Sequence, residues 1–273
     1  MGYADDHSVY DSLNPNSSSS MENTITKLQE CLISINDWMK SNRLKMNSEK
    51  TEFILLGSRA QLLKCEKDHI IVCQDRIPRG SSVKYLGVNI DDQLSFKNHI
   101  RDKCRTIAVN LYYIRQIRKF LSKDLCQQLI QSLVLSHIDY ANALFYGLPA
   151  NTLAPMKRLL HQAAKIIVRK GRYDSATNAM RSLHWLPMSH RCQFNIACLV
   201  WRSLKGSAPS YLRDILTVRN VSRSTRSSTS NYNLTIIRTK RKTFADRSFA
   251  VAGPKIWNRL PSHIKHLDDY NQF

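Results

Sequence analysis

The spacing of apolar residues changes near residue 93, and this change constrains the fold more than any other feature of the 273-residue sequence. Before it, short apolar runs at 51–57, 69–73 and 81–91 end at Gly or polar residues, as β-strands do. After it, apolar residues recur every three or four positions, as on one face of an α-helix. The sequence therefore predicts an α+β fold, with the strands in residues 1–92 and an all-helical part in residues 93–218.

Helical spacing occurs once in the first part and four times in the second. Ser19 and Glu22 have the spacing of a capping box, which predicts the start of the first helix. Ser122 is the predicted N-cap of the second helix of the all-helical part, and Gly206 is the predicted end of its fourth helix. The predicted apolar faces are Met21, Ile25, Leu28, Leu32, Ile35 and Met39; Ile100, Cys104, Ile107, Leu111 and Ile114; Leu125, Leu129, Leu133 and Val134; Met156, Leu159, Leu160, Ala163, Ile166 and Ile167; and Phe194, Ala197, Cys198, Val200 and Trp201.

The last quarter of the chain begins with a change of composition. Residues 219–233 are polar, basic and of low complexity, which predicts a flexible linker. Residues 234–273 form a tail in which 234–242 resembles one strand and 248–261 is apolar. We expect this tail to dock on the helices.

The positive charge of the protein is confined to its second part. The chain has a net charge of +20; residues 1–92 contain 11 Lys/Arg and 13 Asp/Glu, whereas residues 93–273 contain 30 Lys/Arg and 8 Asp/Glu. A segment this basic is typical of proteins that bind a polyanion, most often nucleic acid. The alternative is a basic domain without such a partner.

A regular row of basic residues lies within the third predicted helix of the second part. Between residues 140 and 213 the only acidic residue is Asp174, so the row has almost no compensating charge nearby. A row of this kind can follow a phosphate backbone, and the alternative is an ordinary solvated face. The residues of the predicted nucleic-acid-binding row are Arg158, His161, Lys165, Arg169 and Arg172.

Cysteine usage and hydropathy bear on the cellular location. The seven cysteines are scattered without a C-x-x-C pair, which is typical of reduced thiols. No apolar stretch is long enough to span a membrane, so no membrane partner is expected. The basic run at 238–242 suits a nuclear protein and an RNA-binding protein equally. We therefore expect an intracellular protein, nuclear or cytoplasmic.

Three motifs of the first part occur in a recognisable order. They are YADD at 3–6, LKMNSEKTEFILLG at 44–57 and VKYLGVNID at 83–91. The order and spacing resemble the palm of reverse transcriptases from non-LTR, LINE-like retrotransposons of the jockey type. Later segments, such as HQAAKIIVRKGRYDS at 161–175 and RSFAVAGPKIWNRLP at 247–261, resemble the thumb and C-terminal region of that family. The resemblance covers essentially the whole chain.

The resemblance implies a fold and an activity. It implies a truncated polymerase palm of short antiparallel strands plus one helix at residues 1–92, followed by an all-helical, thumb-like region and a C-terminal tail. It also implies an RNA-directed DNA polymerase that acts on an RNA template and a DNA primer. Nucleotidyl transfer in the family uses two Mg²⁺ ions, and Mg²⁺ prefers carboxylate oxygens. By resemblance, Asp5 is the more direct metal ligand and Asp6 assists it.

Two further sites follow from the resemblance. Lys50 matches a lysine that can protonate the departing pyrophosphate and stabilise its charge; the alternative is a surface lysine at a turn. Tyr85, Leu86 and Gly87 match the primer-grip hairpin, where Gly87 would allow a nucleic-acid backbone to approach closely. The alternative for Gly87 is a plain hairpin glycine.

The family pattern also sets an expectation about activity. In the family, the fingers and a strand with a further metal-binding Asp lie N-terminal to YADD, and here only Met1 and Gly2 precede that motif. We therefore expect this chain alone to be inactive and its N-terminal part to be poorly ordered, and we expect the N-terminal part of a polymerase as a further partner. The alternatives are a non-enzymatic RNA- or DNA-binding protein derived from the thumb and a longer reading frame that encodes an active enzyme.

Overall fold

A computed structural model describes residues 2–3, 6–72, 75–171, 173–219, 233–239, 244–270 and 272–273. The protein is a mixed α+β structure, as the sequence predicts, with a large helical fraction and small sheets. Contacts between backbone positions divide the chain into two compact units, Met1–His99 and Ile100–Phe273. They are called the first unit and the second unit below.

The first unit contains short strands, two α-helices and one 3₁₀ turn at Ser48–Lys50. Its elements are β1 (Gly2–Tyr3), β2 (Asp6–His7), α1 (Ser18–Ser41), β3 (Phe53–Ile54), α2 (Arg59–Leu62), β4 (His69–Val72), β5 (Asp75–Gly80), β6 (Ser82–Tyr85) and β7 (Val88–Asp91).

The strands form three small sheets. β1 pairs with β2 and β6 pairs with β7, and both pairs are antiparallel. The third sheet has the order β3-β5-β4, in which β4–β5 is antiparallel and β3–β5 is parallel. The expectation of antiparallel strands alone is therefore wrong. Helix α2 and strand β4 separate β3 from β5, and such a crossover is what a parallel pair requires.

Strand β5 is absent from the sequence prediction because it contains Pro78. Proline donates no backbone hydrogen bond and therefore argues against a central strand. Pro78 pairs only with His69 of β4, and the pairing with β3 begins one residue later, at Arg79. The missing N–H of Pro78 thus does not interrupt the parallel pairing.

Helix α1 buries its predicted face against the three-stranded sheet. Ile25 is buried, Met21 and Leu32 are partly buried, and the Gln29 side chain donates a hydrogen bond to the carbonyl of Ile71 at 2.7 Å. The buried residues of this cluster are Ile25, Phe53, Ile70, Val72 and Ile77.

The N-cap of α1 is Ser17 rather than the predicted Ser19. The Ser17 hydroxyl accepts a hydrogen bond from the backbone N–H of Ser20 at 3.3 Å. The preceding turn, closed by a bond from Ser17 N–H to the Asn14 carbonyl, leaves Ser17 as the last extended residue. The end of this turn therefore determines which of the four consecutive serines, at 17–20, caps the helix.

The second unit is helical, and α3 begins within the last residues of the first unit. A π-helical turn at Gln131–Leu135 joins α4 to α5. The helices are α3 (Lys97–Ile117), α4 (Lys123–Ile130), α5 (Ser136–Asp139), α6 (Ala150–Ile167), α7 (Ala176–Ser182), α8 (Met188–Leu204), α9 (Ser210–Asp214), α10 (Phe249–Arg259) and α11 (Ser262–Lys265). Shorter 3₁₀ turns lie at Arg118–Phe120, Asn142–Phe145 and Ala245–Arg247.

The face predicted for α4 is wrong at Leu125 and Leu133, whereas the predicted Val134 is buried and the predicted cap is confirmed. The Ser122 hydroxyl accepts a hydrogen bond from Leu125 N–H at 3.2 Å. Leu125 and Leu133 are 53% and 42% exposed, and the adjacent row is buried instead. Each predicted leucine precedes another apolar residue, so spacing alone cannot say which row faces the core. The buried row is Cys126, Ile130, Val134 and Ile138.

The C-terminal residues complete the core around α8. Helix α10 packs on α8, and Trp201 donates from its indole N–H to the carbonyl of Leu267 at 3.0 Å. The strand predicted at 234–242 is wrong for the described residues, because only Leu234 makes a β-bridge, to Val218. The predicted linker lies largely outside the described residues. The buried residues of this cluster are Ile196, Ala197, Val200, Trp201, Leu216, Leu234, Ala252, Ile256 and Trp257.

Candidate nucleic-acid interface

Helix α6 carries the basic residues that the sequence singles out. Its buried face, which includes Met156, Leu160 and Ile167, packs into the second unit. The other side exposes Arg158, and His161 and Lys165 lie beside it half-buried, three and seven residues further along the helix. Residues at this spacing share one face of a helix. We call these three residues the α6 basic face.

Arg169, the fourth residue of the predicted row, is not on this helix. Helix α6 ends at Ile167, and Arg169 lies beyond it with a φ of 53°. Bonds from Lys170 N–H to the Lys165 carbonyl and from Arg169 N–H to the Ile166 carbonyl close the helix. They form a Schellman motif, which turns the chain away from the helical path. Arg172 lies outside the described residues.

Arg118, which the sequence analysis did not single out, holds the end of α6. Its guanidinium donates to the carbonyls of Ile166, Ile167 and Leu121, each at 2.8 Å. A cation beside the last carbonyls of a helix satisfies free acceptors and favours the helix dipole. Ile166 and Ile167 lie 48 and 49 residues from Arg118 in the chain, so no local sequence signal predicts these two contacts.

Arg158, the exposed charge of the α6 basic face, forms no ion pair with a described carboxylate. The ion pairs of the second unit occupy other cations, such as Arg191 with Asp139 at 2.7 Å and Lys255 with Asp246 at 3.2 Å. Among the described residues, neither Arg158 nor Arg169 has a carboxylate partner within ion-pair distance.

The positive surroundings also affect the one titratable imidazole of the face. Burial, Lys157 and Lys165 lower the pKa of His161 below its usual 6.5. Each of these causes disfavours the charged form of the imidazole. A phosphate placed next to His161 would act in the opposite direction and favour its protonated form.

Exposed aromatic side chains accompany the basic residues at the end of α3. Tyr112 and Tyr113 are 59% and 63% exposed and lie edge to face, with their ring centroids 5.6 Å apart. Phe120 is 77% exposed, and the Lys119 ammonium lies 4.8 Å from its ring centroid. Exposed rings among cations can stack on unpaired bases. The tryptophans Trp201 and Trp257, by contrast, are buried in the core.

The residues predicted for catalysis lie in the first unit. Asp6 is exposed on β2, where its backbone pairs with Tyr3, and Asp5 lies outside the described residues. Lys50 is exposed at the end of the 3₁₀ turn Ser48–Lys50. Among the described residues, no hydrogen bond or ion pair joins Asp6 to Lys50.

The predicted primer-grip residues form the turn of the β6–β7 hairpin. Tyr85 pairs with Val88, and the two residues between them, Leu86 and Gly87, have φ of 45° and 76°. Two positive φ values are the pattern of a type I′ turn, which suits a tight hairpin. The Tyr85 hydroxyl lies 3.4 Å from that of Ser8, two residues after Asp6, so the structure brings the segment after YADD to this hairpin.

The described residues include no group of three or more His, Cys, Asp or Glu side chains that could hold a metal ion. Mg²⁺ binds through one or two carboxylates together with waters and substrate oxygens. Asp5 lies outside the described residues, and Mg²⁺ stays a prediction from the resemblance.

Comparison of the chain with protein-family models, with curated proteins and with solved structures gives no match. Within the described residues, none of the helices combines the length and the apolar character needed to cross a bilayer.

Proposed function

We propose that this chain is the nucleic-acid-binding, C-terminal part of a non-LTR retrotransposon reverse transcriptase, with a partial palm in the first unit and a thumb in the second. The observation that carries the binding function is the α6 basic face, which lies in the part of the chain with 30 Lys/Arg and 8 Asp/Glu. The order of the YADD, SEKTEF and YLG motifs supports the reverse-transcriptase lineage.

The proposed contact is electrostatic. Arg158 and Lys165 are seven residues apart, which is about 10 Å along a helix. DNA carries one negative charge per about 1.7 Å of its axis, so a face of this length meets more than one phosphate. Phosphate contacts hold a duplex in place without reading its sequence, as a thumb holding template and primer must do. The exposed rings of Tyr112, Tyr113 and Phe120 add a surface for unpaired bases.

We propose that the isolated chain binds a primed template without extending the primer. Two-metal nucleotidyl transfer places several carboxylates around the ions, and the YADD motif supplies two, Asp5 and Asp6. The second candidate function is a non-enzymatic RNA- or DNA-binding protein derived from the thumb, and the concentration of positive charge after residue 92 supports it equally. Both candidates share the nucleic-acid interface.

The interface is tested with a labelled RNA template annealed to a DNA primer, titrated with the full chain at several salt concentrations. The double variant Arg158→Gln/Lys165→Gln removes two charges of the α6 basic face. The matched control, Arg181→Gln/Arg259→Gln, removes two exposed charges elsewhere in the second unit. We expect a loss of about tenfold or more and a smaller salt dependence for the first variant alone. Equal losses in both variants would show that the net charge, not this face, binds nucleic acid.

Polymerase activity is tested by primer extension with Mg²⁺, using the same template and an Asp5→Ala/Asp6→Ala control. Binding without extension is the expected result. Extension that disappears in the control would show that the chain is an active polymerase and that the proposed lack of activity is wrong. Absence of both binding and extension would reject the nucleic-acid function itself.

A further inference from the structure

Three cations surround a pocket at the end of α6. The pocket has a volume of about 290 Å³ and lies where the 3₁₀ turn at Arg118–Phe120, the start of α4 and the end of α6 meet. Its lining residues are Arg118, Lys123, Ile167, Val168 and Arg169. The lining thus consists of three positively charged side chains and two apolar residues, and it contains no acidic residue.

The two guanidinium groups of the pocket converge on one atom. The Leu121 carbonyl oxygen accepts from Arg118 at 2.8 Å and from Arg169 at 3.4 Å. Both arginines also oppose the effect of burial, which raises the pKa of the Cys126 thiol. Like charges held this close repel each other, and no carboxylate of the described residues pairs with Arg169. An anion bound between the two guanidinium groups would attract both of them and offset their mutual repulsion.

The positions of the three cations differ in how firmly they are held. Arg118 is half-buried and uses Nε and both terminal nitrogens on backbone carbonyls, so its charge is fixed in place. Lys123 and Arg169 are exposed, and their side chains can turn toward a ligand. An arrangement with one fixed charge and two adjustable donors suits a small oxyanion.

The backbone of Arg169 is unusual for a non-glycine residue. It has a φ of 53° at the position after the helix end where α8 has Gly206, with a φ of 74°. Glycine takes this conformation without steric cost, whereas a residue with a side chain does not. Arg43 and His184 have the same conformation after α1 and α7, so the positive φ fixes the position of the Arg169 side chain and does not by itself indicate a ligand.

We propose that Arg118, Lys123 and Arg169 form a binding site for one phosphate group. Arg169 can donate two parallel hydrogen bonds to phosphate oxygens, and Lys123 acts as a point charge. The phosphate belongs to a nucleic-acid backbone or is free in solution. The first source rests on the proposed function, because it assumes that the second unit binds a template–primer duplex.

The test measures binding of inorganic phosphate to the full chain by calorimetry, with chloride keeping the ionic strength constant. Arg118 stays unchanged, because it also holds α6. The pocket variants are Lys123→Gln and Arg169→Gly, and the matched control is Arg43→Gly. Arg43 has a φ of 59° at the same position after α1 but lies in the first unit. We expect each pocket variant to weaken phosphate binding about tenfold or more and Arg43→Gly to leave it unchanged.

The possible results distinguish a failure of the phosphate pocket from a failure of the proposed nucleic-acid binding. No phosphate binding by the unchanged chain, or equal binding by all variants, would overturn the pocket whether or not the chain binds nucleic acid. Phosphate binding that is lost in the pocket variants supports the pocket. If phosphate then also competes with the template–primer duplex, the source is a nucleic-acid backbone; if it does not, the source is free phosphate, and the pocket stands apart from the proposed function.

Discussion

The first and second units differ in both core and charge. The first unit packs one helix on a three-stranded sheet and buries five residues in its cluster. The cluster around α8 and α10 in the second unit alone buries nine. The first unit is near neutral, and its Asp68 side chain bonds to both His69 and Arg76. In the second unit, Arg158 has no carboxylate partner among the described residues.

This difference has a physical reason. Unbalanced charge destabilises a compact state through self-repulsion, so only a unit with a sufficient core can retain it. The second unit has that core and keeps its cations available at the surface, where a polyanion would neutralise them. Four predictions test the comparison, ordered from the largest expected effect to the smallest.

The deepest aromatic side chains of the two clusters should not be equally important. Trp257 is 1% exposed and stacks on Phe273, whereas Phe53 is 8% exposed in the smaller cluster. We expect Trp257→Ala to lower the free energy of unfolding by about 5 kcal/mol and Phe53→Ala by about 3 kcal/mol. Denaturant unfolding, followed in each unit by hydrogen exchange, measures both losses. A larger loss for Phe53→Ala would reverse the comparison of the cores.

Some cations of the second unit are structural. Arg118→Ala leaves the carbonyls of Leu121, Ile166 and Ile167 without their donor, and we expect it to cost about 3 kcal/mol of unfolding free energy. Arg115→Ala, on the exposed side of α3, is the control and should change stability by about 0.5 kcal/mol or less. Thermal unfolding measures both. Equal effects would mean that Arg118 contributes only its charge.

Alanine substitutions at two glycines of the second unit distinguish the cost of backbone strain from the cost of crowding by a neighbouring side chain. Gly147 and Gly206 have φ of 73° and 74°, but a Cβ at Gly147 would lie 2.7 Å from Cγ of Arg247, and one at Gly206 would meet nothing within 4 Å. We expect losses of about 2–3 kcal/mol for Gly147→Ala and about 1 kcal/mol for Gly206→Ala. Denaturant unfolding gives the difference, and equal losses would show that Arg247 moves aside freely.

The pH dependence of binding tests the charge of the α6 basic face. The pKa of His161 is lowered in the folded state, so the unfolded state binds more protons below about pH 6.5. The free energy of unfolding therefore decreases as the pH falls through that range. A bound phosphate favours the protonated form, so affinity should rise as pH falls. We expect a gain of about fivefold between pH 7.5 and 5.5, equivalent to one surface ion contact of about 1 kcal/mol.

His161→Gln should remove most of this gain, and His190→Gln, at an exposed position of α8, should leave it intact. Fluorescence anisotropy with the template–primer duplex at constant salt measures all three proteins. A gain that persists in His161→Gln would show that this imidazole does not face the phosphates.

The sequence predicted the helices with one clear apolar row. The faces of α3 and α6 are largely buried as expected, with Ile107 and Leu160 at 0% exposure, whereas the face of α1 is buried at Ile25 and half-buried at its other predicted positions. Helix α4 and the turn after it have two adjacent apolar rows, so their spacing fits two orientations. The predicted leucines belong to the less buried row, and the predicted Val134 belongs to the buried one. The sequence did not predict strand β5 for a different reason. Pro78 weakens the local signal for a strand, although β5 pairs with both β3 and β4.

For the candidate interface, too, the sequence predicted the positions of some residues correctly and one wrongly. Sequence alone places Arg158, His161 and Lys165 on one face, because helical periodicity depends only on neighbours along the chain. It also placed Arg169 on that face, and this was wrong, because the Schellman motif ends α6 two residues earlier. A helix end depends on which carbonyls find donors, and a distant residue, Arg118, supplies them here.

The sequence by itself determined the α+β composition, the main amphipathic helices, the Ser122 cap and the concentration of positive charge after residue 92. These properties arise from local backbone preferences and from composition. Only the tertiary structure decided which apolar row of α4 is buried, the parallel pairing of β3 with β5, and the convergence of Arg118, Lys123 and Arg169 on one pocket. These features depend on contacts between residues far apart in the chain, whose energies no local pattern records.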